Sequence, residues 1–236
     1  MKKSHLLSIL FIPALLISCK QNYVSNEELI HQAFLNVIEA SEDELRPLLN
    51  LNEKEDKVIW NDNKDKVLLF TFHRFPSSYP EKEEITFTWD ESWVCSVKEY
   101  SLWAKANKDN IKDPLLRTKQ VLGMNEDSGN TYISSMWFSP SDLIRPAYVT
   151  DVNKEMDIVM EEGVSEEYIS WFKSQYYYSY EIKHLPWTRL GYTYDWSREA
   201  KDRYGLSEFI AFKGTSVTVE RTCLVEDFYK EALLMN

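Results

Sequence analysis

The spacing of apolar residues changes several times along the chain, and each change predicts an element. Ser25 and Glu28 form a capping-box pattern, and the residues after them are apolar at helical spacing. Similar N-terminal signals predict helices that begin near Ser41, Ser96, Asp113 and Ser165, with a last helix close to the C-terminus. Runs rich in β-branched and aromatic residues predict strands over residues 66–75, 85–90, 131–138, 188–196, 207–212 and 216–222.

The order of these elements indicates the fold class. Helices and strands interleave without a regular repeat, which favours an α+β fold with a mainly antiparallel sheet and flanking helices. The last two strands are joined by Lys213-Gly214, a turn that predicts a hairpin. Residues 25–236 are expected to form a single domain, because a chain of this length can bury a core without disulfide or metal support.

The N-terminus has the layout of a secretory signal. Lys2 and Lys3 supply positive charge, residues 6–17 are nearly all apolar, and small Ser18 follows them. A helix over residues 6–17 would cover roughly 18 Å at about 1.5 Å per residue, well short of the roughly 30 Å of a bilayer core. Residues 1–18 are therefore predicted to be a cleaved signal peptide and not a membrane span.

The end of this signal, Leu16-Ile17-Ser18-Cys19, resembles the lipobox of bacterial lipoproteins. The resemblance implies a thioether-linked diacylglycerol on Cys19, cleavage before it, and a short tether over residues 19–24. The membrane would then be a partner through lipid, since two or more acyl chains anchor a protein durably. By the same resemblance, Lys20 in place of aspartate favours the outer over the inner membrane of the cell envelope. The alternative is an ordinary signal with an accidental cysteine.

Net charge limits the partners of the chain. The formal charge is −11, and loss of residues 1–18, which hold two lysines and no acid, makes it −13. An acidic surface repels phosphate backbones and anionic lipid, so nucleic acid is not an expected partner. The lipid, and not a basic patch, is expected to hold the protein at the membrane.

Two cysteines remain once Cys19 is lipidated, and a compartment outside the cytoplasm permits disulfides. Cys95 and Cys223 could therefore form a disulfide, or could be separate buried thiols. Histidines are few and far apart in the sequence, so neither a metal motif nor a Cys–His nucleophile pair is visible, and no cofactor is predicted.

The segment from Tyr176 to Trp196 is rich in tyrosine and tryptophan. Exposed aromatic rings beside a carboxylate suit sugars, so Trp187, Arg189 and Asp195 form a candidate surface for an envelope glycan or a protein ligand. The alternative is a core strand. In that case the alternating residues face the interior, and Trp187, which precedes the strand, is the aromatic expected to stay exposed. The alternating residues are Leu190, Tyr192, Tyr194 and Trp196.

Glu208 shares a strand face with apolar residues, and a carboxylate in that position needs a partner or a raised pKa. The segment "EFIAFKGTSVTV" resembles the glutamate strand and hairpin of mono-ADP-ribosyltransferases. That resemblance implies catalytic roles for Arg74 on an early strand and Ser134 on a middle strand. The alternative is an edge-strand glutamate paired with a lysine or arginine.

These patterns favour a lipid-anchored envelope protein that works by binding. The competing hypothesis is an enzyme with a site around Arg74, Ser134 and Glu208. Convergence of these three side chains in one pocket would favour the enzyme, and scattered placement would exclude it.

Overall fold

The computed structural model describes residues 24–235, and the strands of this segment form one seven-stranded antiparallel sheet. The strand bounds are β1 Val67–His73, β2 Glu84–Thr86, β3 Glu91–Ser96, β4 Tyr132–Phe138, β5 Tyr192–Tyr194, β6 Tyr204–Phe212 and β7 Ser216–Leu224. Their order across the sheet is β2-β7-β4-β1-β3-β6-β5. With the helices packed around this sheet, residues 24–235 form a single α+β domain, as predicted.

Helices flank the sheet at the places where capping residues predicted them. Their bounds are α1 Asn26–Asn36, α2 Val97–Asn107, α3 Pro114–Val121, α4 Glu166–Tyr177 and α5 Val225–Leu234. The side chains of Ser25, Ser96, Asp113 and Ser165 each accept a hydrogen bond from the first turn, which stabilises these helix starts. The helix predicted at Ser41 is wrong, because only the 3₁₀ turn Glu42–Glu44 forms before Pro47.

The predicted hairpin of β6 and β7 is also wrong, since β3, β1 and β4 lie between them in the sheet. Four strand spacings in a flat sheet would separate β6 from β7 by roughly 19 Å. The chain from Phe212 to Ser216 can reach only about 14 Å. The sheet must therefore curve strongly, so that β6 and β7 approach each other where they are joined.

Apolar residues fill both sides of the curved sheet. On the concave side, Phe209 of β6 and Val219 of β7 belong to one buried cluster with Leu69 of β1. On the opposite side, α2 and α5 cover the sheet, and the rings of Phe70, Tyr100 and Phe228 contact one another with centroids 5.2–5.3 Å apart. The central strand β1 is buried at every position.

A third buried cluster joins α1, α4 and β5 beside the sheet. Trp187 lies at its centre, with its ring 5.0 Å from Phe172 and 6.0 Å from Trp93. This cluster packs α4 and Tyr180 of the π-helical turn Tyr178–Ile182 beside Trp93 of β3. Within residues 24–235, the helices are too short or too polar to cross a bilayer. Cys19 and the predicted signal lie outside the described residues.

Candidate functional site

The central strands separate over part of their length. Across the described residues, β1 and β3 pair at Leu69 with Ser96 and at Phe70 with Cys95. Beyond these pairs β1 continues along β4 to His73, while the first half of β3 continues along β6. The facing edges of the two strands therefore leave a gap in the middle of the sheet.

A cavity of about 630 Å³ occupies this gap. Residues 70–75 of β1 and its extension line one wall, and residues 91–95 of β3 line the other. Consecutive residues point alternately to the two faces of a sheet, so the cavity is bordered by strand edges and not by one face alone. Its volume lies within the range of small-molecule sites in proteins.

Aromatic side chains provide much of the wall. Trp187 lines the cavity together with the two residues before it, Leu185 and Pro186. Trp93 contacts Trp187 edge to face, which holds both indoles in place. The aromatic residues of the lining are Phe70, Phe72, Phe75, Tyr79, Trp89, Trp93, Tyr178, Trp187, Tyr192 and Tyr194.

Glu208 is a buried acidic residue in this lining. Its side chain is 5 % exposed, and Oε1 has no hydrogen-bond partner among residues 24–235. Burial raises the pKa of Glu208 to about 8. The predicted alternative, an edge-strand glutamate paired with a cation, is wrong, because β6 is an inner strand between β3 and β5 and no basic side chain pairs with Glu208 in the described segment.

Ser134 lies on the other side of the sheet from Glu208. Glu208 is opposite Cys95, and Cys95 is opposite Phe70, whereas Ser134 is opposite Thr71. Neighbouring residues of a strand point to opposite faces, so Ser134 and Glu208 do too. Ser134 is fully buried and does not line the cavity.

Ser134 is held in a chain of hydrogen bonds whose direction can be assigned. The Phe75 N–H donates to Nδ1 of His73, so Nε2 carries the proton and donates to Ser134 Oγ at 2.8 Å. Ser134 donates to Thr222, which donates to the Tyr79 carbonyl. Because His73 donates to the serine, it cannot act as a base that activates it. Burial also lowers the pKa of His73 to about 4.

Arg74 lies where β1 ends, at the rim of the cavity. Its side chain is exposed, and its guanidinium lies 5.2 Å from the centre of the Phe75 ring. Arg74 and Glu208 thus line the same cavity, while Ser134 is excluded from it. The three residues do not converge, and the arrangement implied by the resemblance to mono-ADP-ribosyltransferases is not formed.

The predicted ligand surface of Trp187, Arg189 and Asp195 is buried and does not face solvent. Asp195 accepts two hydrogen bonds from Arg117, at 2.9 and 2.6 Å, in a buried ion pair. Arg189 donates to the carbonyls of Val37 and Ile38, at the end of α1. Both charged side chains therefore join elements of the fold.

Burial of the alternating residues in the same segment was predicted correctly. Tyr192, Tyr194 and Trp196 are at most 6 % exposed. The expectation that Trp187 stays exposed is wrong, since its side chain is 7 % exposed and its indole donates to the Pro146 carbonyl. Trp187 nevertheless reaches the cavity from within the fold.

Cys95 and Cys223 do not form the possible disulfide; they are free buried thiols, which was the alternative expected from the sequence. Cys95 lies on β3 and Cys223 on β7, with β1 and β4 between them. Three strand spacings amount to roughly 14 Å, about twice the Cα separation that a disulfide tolerates. Burial and the nearby charge of Glu208 raise the pKa of Cys95 well above its usual range.

Most of the cavity lining carries no recognisable signal in the sequence. Phe72, Trp93 and Tyr178 appear in the sequence only as ordinary apolar or aromatic positions, and no motif marks them. Glu208 could be recognised as a candidate site residue, because it is an acidic residue on an otherwise apolar strand face. Among residues 24–235, no group of three or more histidine, cysteine or acidic side chains is placed to hold a metal ion.

No family model, curated protein or solved structure matches this chain.

Proposed function

We propose that this protein is a lipid-anchored component of the bacterial cell envelope that binds a small organic ligand in the cavity between β1 and β3. The observation that carries the binding proposal is this cavity of about 630 Å³, which is lined by aromatic rings and by Glu208, whose buried Oε1 has no hydrogen-bond partner among the described residues. Pockets with apolar walls and few polar groups are typical of small-molecule sites.

The shape and chemistry of the cavity favour a small ligand over the envelope glycan or protein partner considered first. A glycan needs many hydrogen-bonding groups, whereas most of this wall is aromatic or aliphatic. The aromatic residues expected to stack on sugars, around Trp187 and Asp195, are buried in the fold. The Leu16 to Cys19 pattern supports the anchor, and Lys20 supports an outer-membrane address.

The binding proposal is tested with a neutral naphthyl probe, (1-naphthyl)methanol, titrated calorimetrically into the full chain in detergent, with the detergent blank subtracted. Leu185 lines the cavity and is half-buried, so Leu185→Trp should fill space there. The matched control is Ile182→Trp on the nearby turn, where Ile182 is 53 % exposed and outside the lining. We expect a loss of affinity of about ten-fold or more for Leu185→Trp alone. Equal binding by the two variants would contradict the proposal.

The anchor is tested separately by mass spectrometry of the protein purified from a bacterial membrane. Wild type should carry a diacylglycerol on Cys19 as its first residue, and Cys19→Ala should remain an unprocessed precursor without lipid. An unacylated mature N-terminus in the wild type would contradict the anchor and leave the cavity proposal standing.

A further inference from the structure

Glu208 indicates the class of ligand, given the proposed function of the cavity. Its Oε1 is buried and has no partner among the described residues, although buried carboxyl groups are normally hydrogen-bonded or paired with a cation. The nearest buried comparison is Glu99, which accepts hydrogen bonds from the Ser207 backbone at 2.9 Å and from its hydroxyl at 3.1 Å. Glu99 is satisfied within the protein, whereas Glu208 is not.

The surroundings of Glu208 are aromatic. Trp93 is two residues from Cys95, the partner of Glu208 across the β3–β6 pair, so it is a diagonal neighbour on the same face. Trp187 packs edge to face on Trp93 and lines the same cavity. Rings attract cations through their negative faces, and a carboxylate adds a full counter-charge.

We infer that the cavity binds an organic cation, a compound with an ammonium group on an apolar body, with Glu208 as its counter-ion. The apolar body would contact the aromatic wall, and the ammonium would lie beside the Glu208 carboxyl group, which lines the cavity. An anionic ligand would oppose ionisation of the buried carboxyl group further, so Glu208 could not act as its counter-ion. A neutral ligand could enter the cavity, but it would leave Glu208 protonated and would gain nothing from the charge of the carboxylate.

Two other charged residues line the cavity, and neither takes the place of the proposed pair of Glu208 and a bound cation. Arg74 is exposed at the rim and lies over Phe75. Glu91 accepts the indole N–H of Trp171 at 2.9 Å and that of Trp93 at 3.4 Å. The remaining ionisable groups in the lining are His73, Cys95, Tyr79, Tyr178, Tyr192 and Tyr194.

Binding of a cation should be linked to release of a proton. Burial holds the pKa of Glu208 near 8 in the empty cavity, so this group is mainly protonated at neutral pH. A bound cation favours the carboxylate, and the proton leaves to solvent. Affinity for the cation should therefore rise as the pH increases towards 8. His73, with its pKa lowered by burial to about 4, stays neutral over this range.

The test compares trimethyl(1-naphthylmethyl)ammonium, whose charge is independent of pH, with the neutral (1-naphthyl)methanol. Both are titrated calorimetrically into the full chain at pH 8. We expect wild type to bind the cation at least about ten-fold more tightly than the neutral probe. Glu208→Gln should remove that preference and leave the affinity for the neutral probe within about two-fold. Glu99→Gln, a buried glutamate outside the cavity lining, is the matched control and should keep the preference.

A second measurement does not depend on any variant. In wild type, affinity for the cation should increase between pH 6 and 8, while affinity for the neutral probe stays constant. If the neutral probe binds but wild type does not bind the cation more tightly, the inference is overturned and the cavity remains a binding site. The same holds if Glu208→Gln still prefers the cation. If neither probe binds, both the inference and the proposed function are overturned.

Discussion

Glu208 of β6 lies directly opposite Cys95 of β3, and both side chains point to the face of the sheet that carries Phe70. Burial raises the pKa of both groups, and the charge of Glu208 raises that of Cys95 further. At neutral pH the Cys95 thiol is therefore protonated, and the Glu208 carboxyl group is protonated in most molecules. The two side chains form an uncharged part of the cavity wall until a ligand changes the protonation of Glu208.

Stability should depend on the titration of Glu208. Its pKa rises from 4.5 in the unfolded chain to about 8 in the fold, so the folded state holds the proton more strongly. The contribution of Glu208 to the free energy of unfolding is most favourable below about pH 4.5. This contribution decreases as the pH rises through about 8, by at most about 1.4 kcal/mol per pH unit. Glu208→Gln lacks this loss, so its free energy of unfolding should increase relative to that of wild type from pH 5 to pH 8.

Urea unfolding of the two proteins across this pH range measures the difference. Glu84→Gln, at an exposed position of β2, is the control and should follow wild type at every pH. Parallel profiles for wild type and Glu208→Gln would show that Glu208 is not held in an environment that opposes its charge.

Asp195 is expected to stabilise the fold and not to bind a ligand. Asp195→Ala leaves the buried guanidinium of Arg117 without its ion-pair partner, which typically costs about 3–5 kcal/mol. Glu231→Ala removes one partner of Arg221 at the surface and should cost less than about 1 kcal/mol. Chemical denaturation gives both values. A small loss for Asp195→Ala together with loss of ligand binding would restore the surface predicted around Trp187 and Arg189.

The two buried cysteines should remain thiols in an oxidising compartment. Cys95 and Cys223 lie on strands that are separated by β1 and β4, and neither can reach the other while the sheet is intact. Alkylation after unfolding without reductant should therefore modify both residues, as measured by peptide mass spectrometry. A cross-linked peptide containing both cysteines would contradict the strand order found here.

Tyr194 should behave as a core residue. It is 4 % exposed, and its hydroxyl accepts a hydrogen bond from Asn36 of α1 at 2.9 Å. Tyr194→Ala should cost about 3–5 kcal/mol, the range for truncation of large buried aromatic side chains. Tyr177→Ala is the control, because Tyr177 is 60 % exposed at the end of α4. A thermal melt of Tyr194→Ala that overlays wild type would mean that this tyrosine is not part of the core.

Local features of the fold could be predicted from the sequence because their causes are local. Ser25, Ser96 and Ser165 each accept a hydrogen bond within the next turn, so a few residues are enough to predict a helix start. The burial of Glu208 likewise follows from the alternation of one strand. These predictions needed no knowledge of which strands are neighbours.

The strand order and the cavity could not be predicted in this way. The segment around Lys213-Gly214 has the composition of a hairpin turn, yet residues 87–90 bond to this loop and three strands separate β6 from β7. The gap between β1 and β3 depends on the curvature of the whole sheet. Arg189 and Asp195 alternate with apolar residues, but their partners lie on α1 and α3, far away in the sequence.

A crystal structure of the full chain with trimethyl(1-naphthylmethyl)ammonium would show directly whether a ligand binds between β1 and β3. We expect the naphthyl ring in contact with Trp93 and Trp187, and the ammonium beside the Glu208 carboxylate. An empty cavity, with the probe absent or bound only at the outer surface, would contradict the proposed ligand site between β1 and β3.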